Sequence, residues 1–405
     1  MPLPDSLPLI PHLYDKLKTD SMTAPLTLAS GYITRTEIPL ADKILSISRR
    51  TRKTPFTPCV EAAGVKGYTV YNHMLLPTYF NTNEADYWHL CQDVQVWDVS
   101  CERQIEVSGP DSERLIQLMT PRDISRAVIG QGLYAPLCDE HGLLINDPIL
   151  IKFSADRWWV SIADSDVRLW ARGIAYGLGL DVQVREAEIW PLAVQGPKAE
   201  ELVSRVFGDE VRSIRFFRSK MLEFRGRSMM VMRSGYSKQG GFEIYLNDPQ
   251  LALPLWDELF SQGADLNVRA GGPNLIERIE SGLLSYGNDM NFTHNPFECG
   301  LDQYMDIDAD IDCMSLQALR AIRGKHVHQL VGIVFDAVVE FDDFKIEVDG
   351  VQVGDVRSQV WSPGHLKFLT MVMMKRDFLA SNDSVTVSGK LGNIVDLPFT
   401  FDAVS

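Results

Sequence analysis

Apolar and polar positions alternate over short runs along most of the chain: QIEVSG from Gln104, PILIKF from Pro148, WWVSIA from Trp158, LAVQG from Leu192, MLEFRG from Met221, SMMVM from Ser228 and FEIYL from Phe242. Period-two alternation puts one face of a strand in a core and the other outside, so each run reads as a β-strand. The segments between them return apolar residues at helical spacing, and the rhythm predicts an α+β fold with largely antiparallel sheets. Two stretches echo each other. IEVSGPDSERLIQLM at residues 105–119 and LAVQGPKAEELVSRVF at residues 192–207 both read strand, Gly-Pro, polar turn, amphipathic helix. In each, Gly ends the strand and Pro takes the first helical turn, where its missing N–H costs nothing.

The pattern also divides the chain. Residues 1–45 carry Pro2, Pro4, Pro8, Pro11 and Pro25 with weak periodicity and read as an N-terminal extension. Residues 46–325 hold the strand–helix alternation and are expected to form two α+β subdomains. After the acidic stretch MDIDADIDCM, residues 326–405 resume as short strands (LVGIVF, FKIEVDG, LTMVMM, SVTVSG) and read as a C-terminal β-barrel domain. Within it, Asp349-Gly350 lies between KIEV and VQV, a strong hairpin signal.

Composition narrows the function classes. At 405 residues the chain exceeds one core, since single cores stop growing at roughly 250–300 residues. A net charge of -15 disfavours nucleic acid and anionic membrane as partners. No window reaches the roughly 20 apolar residues of a membrane span, and the N-terminus lacks a secretory pattern, so the cytoplasm is the expected compartment. Six cysteines without metal-like spacing read as reduced thiols. Asp306, Asp308, Asp310 and Asp312 resemble a calcium loop superficially, but Ile311 stands where Gly is needed and Gln317 where a bidentate Glu is needed, so no metal is expected.

No nucleophile elbow, phosphate loop, dinucleotide fingerprint or HExxH helix is present. What remains is a set of carboxylates embedded in apolar strands: Asp98 in VWDVS, Asp147 in GLLINDPILI and Glu243 in GYSKQGGFEIYL. A carboxylate at a strand end beside Gly-rich turns is either a site residue or a hydrogen-bonded cap.

These same segments resemble the glycine-cleavage T-protein (aminomethyltransferase) family. GLLINDPILI is similar to its G-G-I-x-D-D strand, VWDVS to F-D-V-S, LAVQGPKA to A-x-Q-G-P, RSGYSKQGGFEIYL to R-T-G-Y-T-G-E-D-G-F-E, and SYGNDMNFTHNPFECGL to Y-G-x-D-M-x-E-x-x-x-P-x-E-x-G-L. The match runs in order from about residue 46 to 390. ISRRTRKTPF, YTVYNHMLLPTYF, DYWHL and GGPNLIERIE resemble the branch that demethylates dimethylsulfoniopropionate more than the aminomethyltransferases themselves.

The resemblance implies a three-domain cloverleaf, with tetrahydrofolate as cofactor in a central channel and a small-molecule methyl donor as its other partner. A homodimer is the candidate assembly. By position, Asp147 would stand near the reactive end of the folate and act catalytically, Glu243 would hold the pterin, and Tyr134 and Tyr236 would flank it. A carboxylate is the natural acceptor for the pterin's two-donor edge. Trp88, Trp97 and Tyr236 are candidate aromatic faces for a cationic donor. Asn274 replaces a family Arg, which weakens the aminomethyl-carrier reading, and Phe217 replaces a family Tyr. Arg278 and Glu280 are expected to pair with each other along a helix.

Overall fold

The computed structural model describes residues 48–401, and the extension expected over residues 1–45 lies outside them. Three large sheets carry the fold, each backed by its own apolar cluster. The first runs in the order Ser219–Phe224, Arg227–Met232, Gly241–Leu246, Trp190–Gln195, Val94–Asp98, Val268–Gly271, antiparallel except for the last, parallel pair. The second is wholly antiparallel, in the order Gln183–Glu186, Gln104–Ser108, Arg157–Ser161, Ile149–Ser154, Gly132–Tyr134. The third, also antiparallel, runs Lys345–Val348, Val351–Ser362, Lys367–Lys375, His328–Phe335, Lys390–Val395, Ser384–Val387 and curls into a nearly closed barrel-like sheet. This is the α+β architecture expected from the alternation of strands and helices.

The two echoing segments form the same unit in different sheets. Strand Gln104–Ser108 leads into helix Ser112–Met119, and strand Trp190–Gln195 into helix Ala199–Phe207. The reason both need glycine is visible. Gly109 and Gly196 have φ of +127° and +122°, and a Cβ on either would collide with a backbone carbonyl, that of Asp181 or of Asp93. Asp349 (φ +52°) and Gly350 (φ +73°) make the expected two-residue hairpin turn with positive φ at both positions.

A fourth apolar cluster joins the sheets. It gathers Cys138 and Leu144 from the short hairpin Leu137–Cys138/Leu144–Asn146, Ile279, Tyr286 and Met290 from the segment before the barrel, and Leu330, Leu369, Met371 and Phe399 from the barrel itself. Burial of these side chains fixes the end of the strand Leu144–Asn146, and therefore the residue that follows it, Asp147. No helix among the described residues is long and apolar enough to cross a membrane.

Candidate active site

Asp147 stands between strand Leu144–Asn146 and Pro148, on a segment held from several sides. Tyr286 donates its hydroxyl to the Leu144 carbonyl (3.1 Å), and the Leu144 N–H donates to the His294 carbonyl (2.9 Å). Asn146 is fully buried; its Oδ1 accepts the Ala163 N–H (3.0 Å) and its Nδ2 donates to Ser165 Oγ (2.8 Å). Against this rigid base the Asp147 carboxylate accepts one bond, from the Tyr134 hydroxyl to Oδ2 (2.9 Å). Its other oxygen, Oδ1, is sealed from solvent with no partner. Burial pushes the Asp147 carboxyl up to about 7, against the Tyr134 bond, which favours the ionised form.

Glu243 comes from the opposite sheet, on strand Gly241–Leu246. Its Oε2 accepts hydrogen bonds from Ser234 Oγ (2.5 Å) and the Tyr245 hydroxyl (3.2 Å), so the carboxylate is oriented before any ligand arrives. Burial raises its pKa. Tyr236 is anchored through its hydroxyl, which donates to the Leu284 carbonyl (2.8 Å), leaving the ring fixed; Tyr134 packs edge-on against Tyr304 with centroids 4.7 Å apart.

Two further residues belong to this group although sequence reasoning passed over them. Glu102, in the turn after strand Val94–Asp98, has its carboxyl raised well above the ordinary range, first by burial and then by the charge of Glu243. Tyr71 ends strand Gly67–Tyr71, and its hydroxyl feels the charges of both Glu102 and Asp147. Tyr71, Glu102, Tyr134, Asp147 and Tyr236 are each half-buried. The only sequence signal for Glu102 was a charge interrupting an apolar run, which is common on exposed turns.

Other candidates are placed elsewhere. Trp97 is fully buried, with its Nε1–H donated to Gln95 Oε1 (2.8 Å), so no face of its indole is open to a ligand. Trp88 is partly exposed on helix Asn83–Gln92, edge-on to Tyr87 with its Nε1–H near Glu84 (3.4 Å). Asp98 is a structural anchor, accepting the Thr54 hydroxyl (2.5 Å) and the Ser100 N–H (3.2 Å). Asn274 caps helix Leu275–Glu280 by accepting the N–H groups of Ile276 (2.9 Å) and Glu277 (3.2 Å). Phe217 sits at φ +53°, stacked on Phe216.

The expected Arg278–Glu280 pair is not formed. Arg278 donates to Asp289 (2.7 Å) and Ser358 Oγ (2.7 Å), while Glu280 accepts from the Tyr87 hydroxyl (2.9 Å) and Ser362 Oγ (2.6 Å). Spacing of two residues points side chains away from each other on a helix, and partners from the barrel strand Val351–Ser362 were closer.

Known proteins resemble this chain in sequence and in fold. The family model described as the GCVT N-terminal domain matches residues 56–309. A curated relative from Ruegeria pomeroyi, dimethylsulfoniopropionate demethylase DmdA, is 51% identical over 318 residues, covering 78% of this chain and 87% of the relative. An aminomethyltransferase from Symbiobacterium thermophilum is 30% identical over 321 residues, covering 75% and 85%. Among solved structures, the glycine cleavage system aminomethyltransferase T from Bartonella henselae superposes with a TM-score of 0.75 at 21% identity over 86% of this chain and 98% of that one, which shows a common fold. With its family model spanning the first and second sheets and a half-identical relative over three quarters of its length, the chain belongs to the GCVT aminomethyltransferase family.

Proposed function

We propose that this protein transfers a methyl group from the sulfonium of dimethylsulfoniopropionate to N5 of tetrahydrofolate, giving methylmercaptopropionate and 5-methyltetrahydrofolate. The observation that carries the reading is 51% identity over 318 residues to the relative of that name. The residues fit a reduced folate. Asp147 Oδ1 is a buried acceptor with no donor, and Glu243 is an oriented acceptor of the kind a pterin's N3–H and amino group require.

When bound, tetrahydrofolate supplies the nucleophilic nitrogen. The protein's own residues then do three things. Glu243 fixes the pterin edge, Tyr236 provides a rigid wall, and Tyr134 holds Asp147. Asp147 acts by electrostatics on the cation and accepts the proton that leaves the nitrogen after transfer, a role suited to a carboxyl poised at about 7. A sulfonium is already a good leaving group, so alignment of the two reactants contributes most of the acceleration.

Incubating the purified protein with tetrahydrofolate and dimethylsulfoniopropionate, with both products followed by mass spectrometry, tests the proposal; folate binding without either product would sink it. We place the reaction in the cytoplasm with a homodimer as the working unit, which light scattering at twice 45.6 kDa would support. A methyl ether donor is the rival reading, because its oxygen must be protonated and Asp147, raised to about 7, is a carboxyl that can supply the proton. The pH profile separates the two, as argued below.

A further inference from the structure

Tyr134, whose hydroxyl holds the Asp147 carboxylate, is itself gripped at two other points. The Arg122 guanidinium donates through Nη1 to the Tyr134 carbonyl, at the end of strand Gly132–Tyr134. The same guanidinium lies over the Tyr304 ring, 5.8 Å from its centroid, and that ring meets the Tyr134 ring edge-on at 4.7 Å. One cation therefore touches both the backbone of Tyr134 and the ring that flanks its side chain.

The loop that carries Arg122 is fixed independently of the site. Thr120 Oγ1 donates to the Pro136 carbonyl (2.8 Å), Gln117 Nε2 to the Arg122 carbonyl (2.9 Å), and the Asp306 N–H to the Pro121 carbonyl (2.9 Å). Asp306, whose charge steadies the half-buried guanidinium, gives its Oδ2 to the Asp123 N–H (2.8 Å). Arginine stays charged across the working pH range, so this anchor does not switch off where a carboxyl titrates.

An arginine on a backbone carbonyl is by itself an ordinary loop pin. Its consequence here comes from what Tyr134 does next. Between a tyrosine's carbonyl and its hydroxyl only two side-chain torsions are soft, and holding the carbonyl and the ring leaves the hydroxyl one place to stand. Asp147 Oδ2 takes that hydroxyl at 2.9 Å while Oδ1 has no partner, so Tyr134 decides which way the unanswered oxygen faces. Electrostatic catalysis depends on charge aimed before the reaction begins.

We infer that Arg122 is a positioning residue for the methyl transfer: with Tyr304 it sets the Tyr134 hydroxyl and, through it, the direction of the Asp147 carboxylate. The inference rests on the reaction proposed above and adds to it a residue outside the motifs that marked the site.

Arg122→Met keeps the stem and removes the donor. Its kcat is expected to fall on the order of tenfold with the Kd for tetrahydrofolate little changed. The midpoint of the kcat/KM pH profile should move up by about one pH unit, in the direction of Tyr134→Phe. Added to Tyr134→Phe, Arg122→Met should shift the midpoint no further. Arg122→Lys, which can still donate to the carbonyl, should recover part of the shift. A midpoint that stays put in Arg122→Met overturns the inference. So does a full shift on top of Tyr134→Phe, because the charge would then act on Asp147 directly. Tyr304→Leu, which leaves the Arg122 loop intact, covers the case of an Arg122→Met that does not fold: an upward shift supports the clamp and none removes it. If the unsubstituted protein binds tetrahydrofolate but does not demethylate dimethylsulfoniopropionate, the donor reading has failed, and melting curves at pH 5 and pH 8 still read the carboxyl without substrate. Arg122→Met should then widen the fall in Tm between the two, since a folded carboxyl that keeps its proton to higher pH loses more stability as pH rises. A fall that does not widen, or that widens equally in the Asp147→Asn background, removes the role of Arg122.

Discussion

Asp147 shows how burial sets the behaviour of a single side chain. With its carboxyl raised to about 7 and, in the proposed mechanism, the ionised form needed to attract a cation and take a proton, kcat/KM with a sulfonium donor should rise with pH and level off above about 7. A methyl ether donor would need the protonated acid and give the opposite slope. Asp147→Asn keeps the Tyr134 contact but not the charge, and kcat is expected to fall on the order of 100-fold with folate affinity little altered. Because the Tyr134 hydroxyl stabilises the ionised form, Tyr134→Phe should move the midpoint of the pH profile upward. The same shift has a stability consequence. An unfolded Asp loses its proton near pH ~3.9 while the folded one keeps it to about 7, so this residue's contribution to stability declines as pH rises through that window. Melting curves at pH 5 and pH 8 should show a smaller drop for Asp147→Asn than for the unsubstituted protein.

At the scale of elements, the hairpin Gly67–Tyr71/Met74–Tyr79 acts as a bracket for the candidate site. Its two-residue turn places Asn72 and His73 at φ +50° and +60°, conformations that Asn tolerates better than most residues. From there one buried amide answers three backbone carbonyls, and Asn72's own N–H donates to Asp164 (2.8 Å). Asn72→Ala strands those carbonyls and strains the turn, and a loss of about 2–3 kcal/mol in urea unfolding is expected. Asn72→Gly relieves the strain alone and should cost less. Both should lower kcat, since the turn aligns Tyr71, Glu102 and Asp147; unchanged turnover in Asn72→Ala would mean that the bracket does not position the site.

Across the whole molecule, the barrel-like sheet is tied to the rest through Ser358, which bonds both members of a buried ion pair outside it, as well as by apolar packing. Arg278 reaches Asp289 and Ser358 Oγ, and Ser358 in turn donates to Asp289, with both charged side chains almost wholly buried. Removing one partner leaves the other charge unanswered, so Arg278→Met is expected to lower stability by about 3–5 kcal/mol. Replacing both ions together, as Arg278→Met with Asp289→Leu, should restore much of that loss, and thermal unfolding of the single and double variants reads the difference. The cluster that includes Leu144, Tyr286 and Leu369 lies beside this pair, so loosening the barrel should also disturb the segment that carries Asp147.

Periodicity and local stereochemistry determined much of this protein before any contact was known. Alternation marked the strands, the Gly-Pro echo marked two strand-to-helix units whose glycines are needed because a carbonyl passes where Cβ would be, and Asp349-Gly350 marked a hairpin. Family motifs drew attention to Asp147, Glu243, Tyr134 and Tyr236, because those residues lie in recognisable local strings. Tertiary structure decided what depends on neighbours far apart in sequence. Whether an indole faces a channel or a core is set by the sheet packed over it, which is why Trp97 is sealed and Tyr71 is not. Arg278 bonds to Asp289 and Ser358 because the barrel strand brings Ser358 to it. Glu102 reads as an ordinary charged turn residue until Glu243 arrives from another strand, and a carboxylate's character is fixed by the solvent and charges that folding removes or brings close.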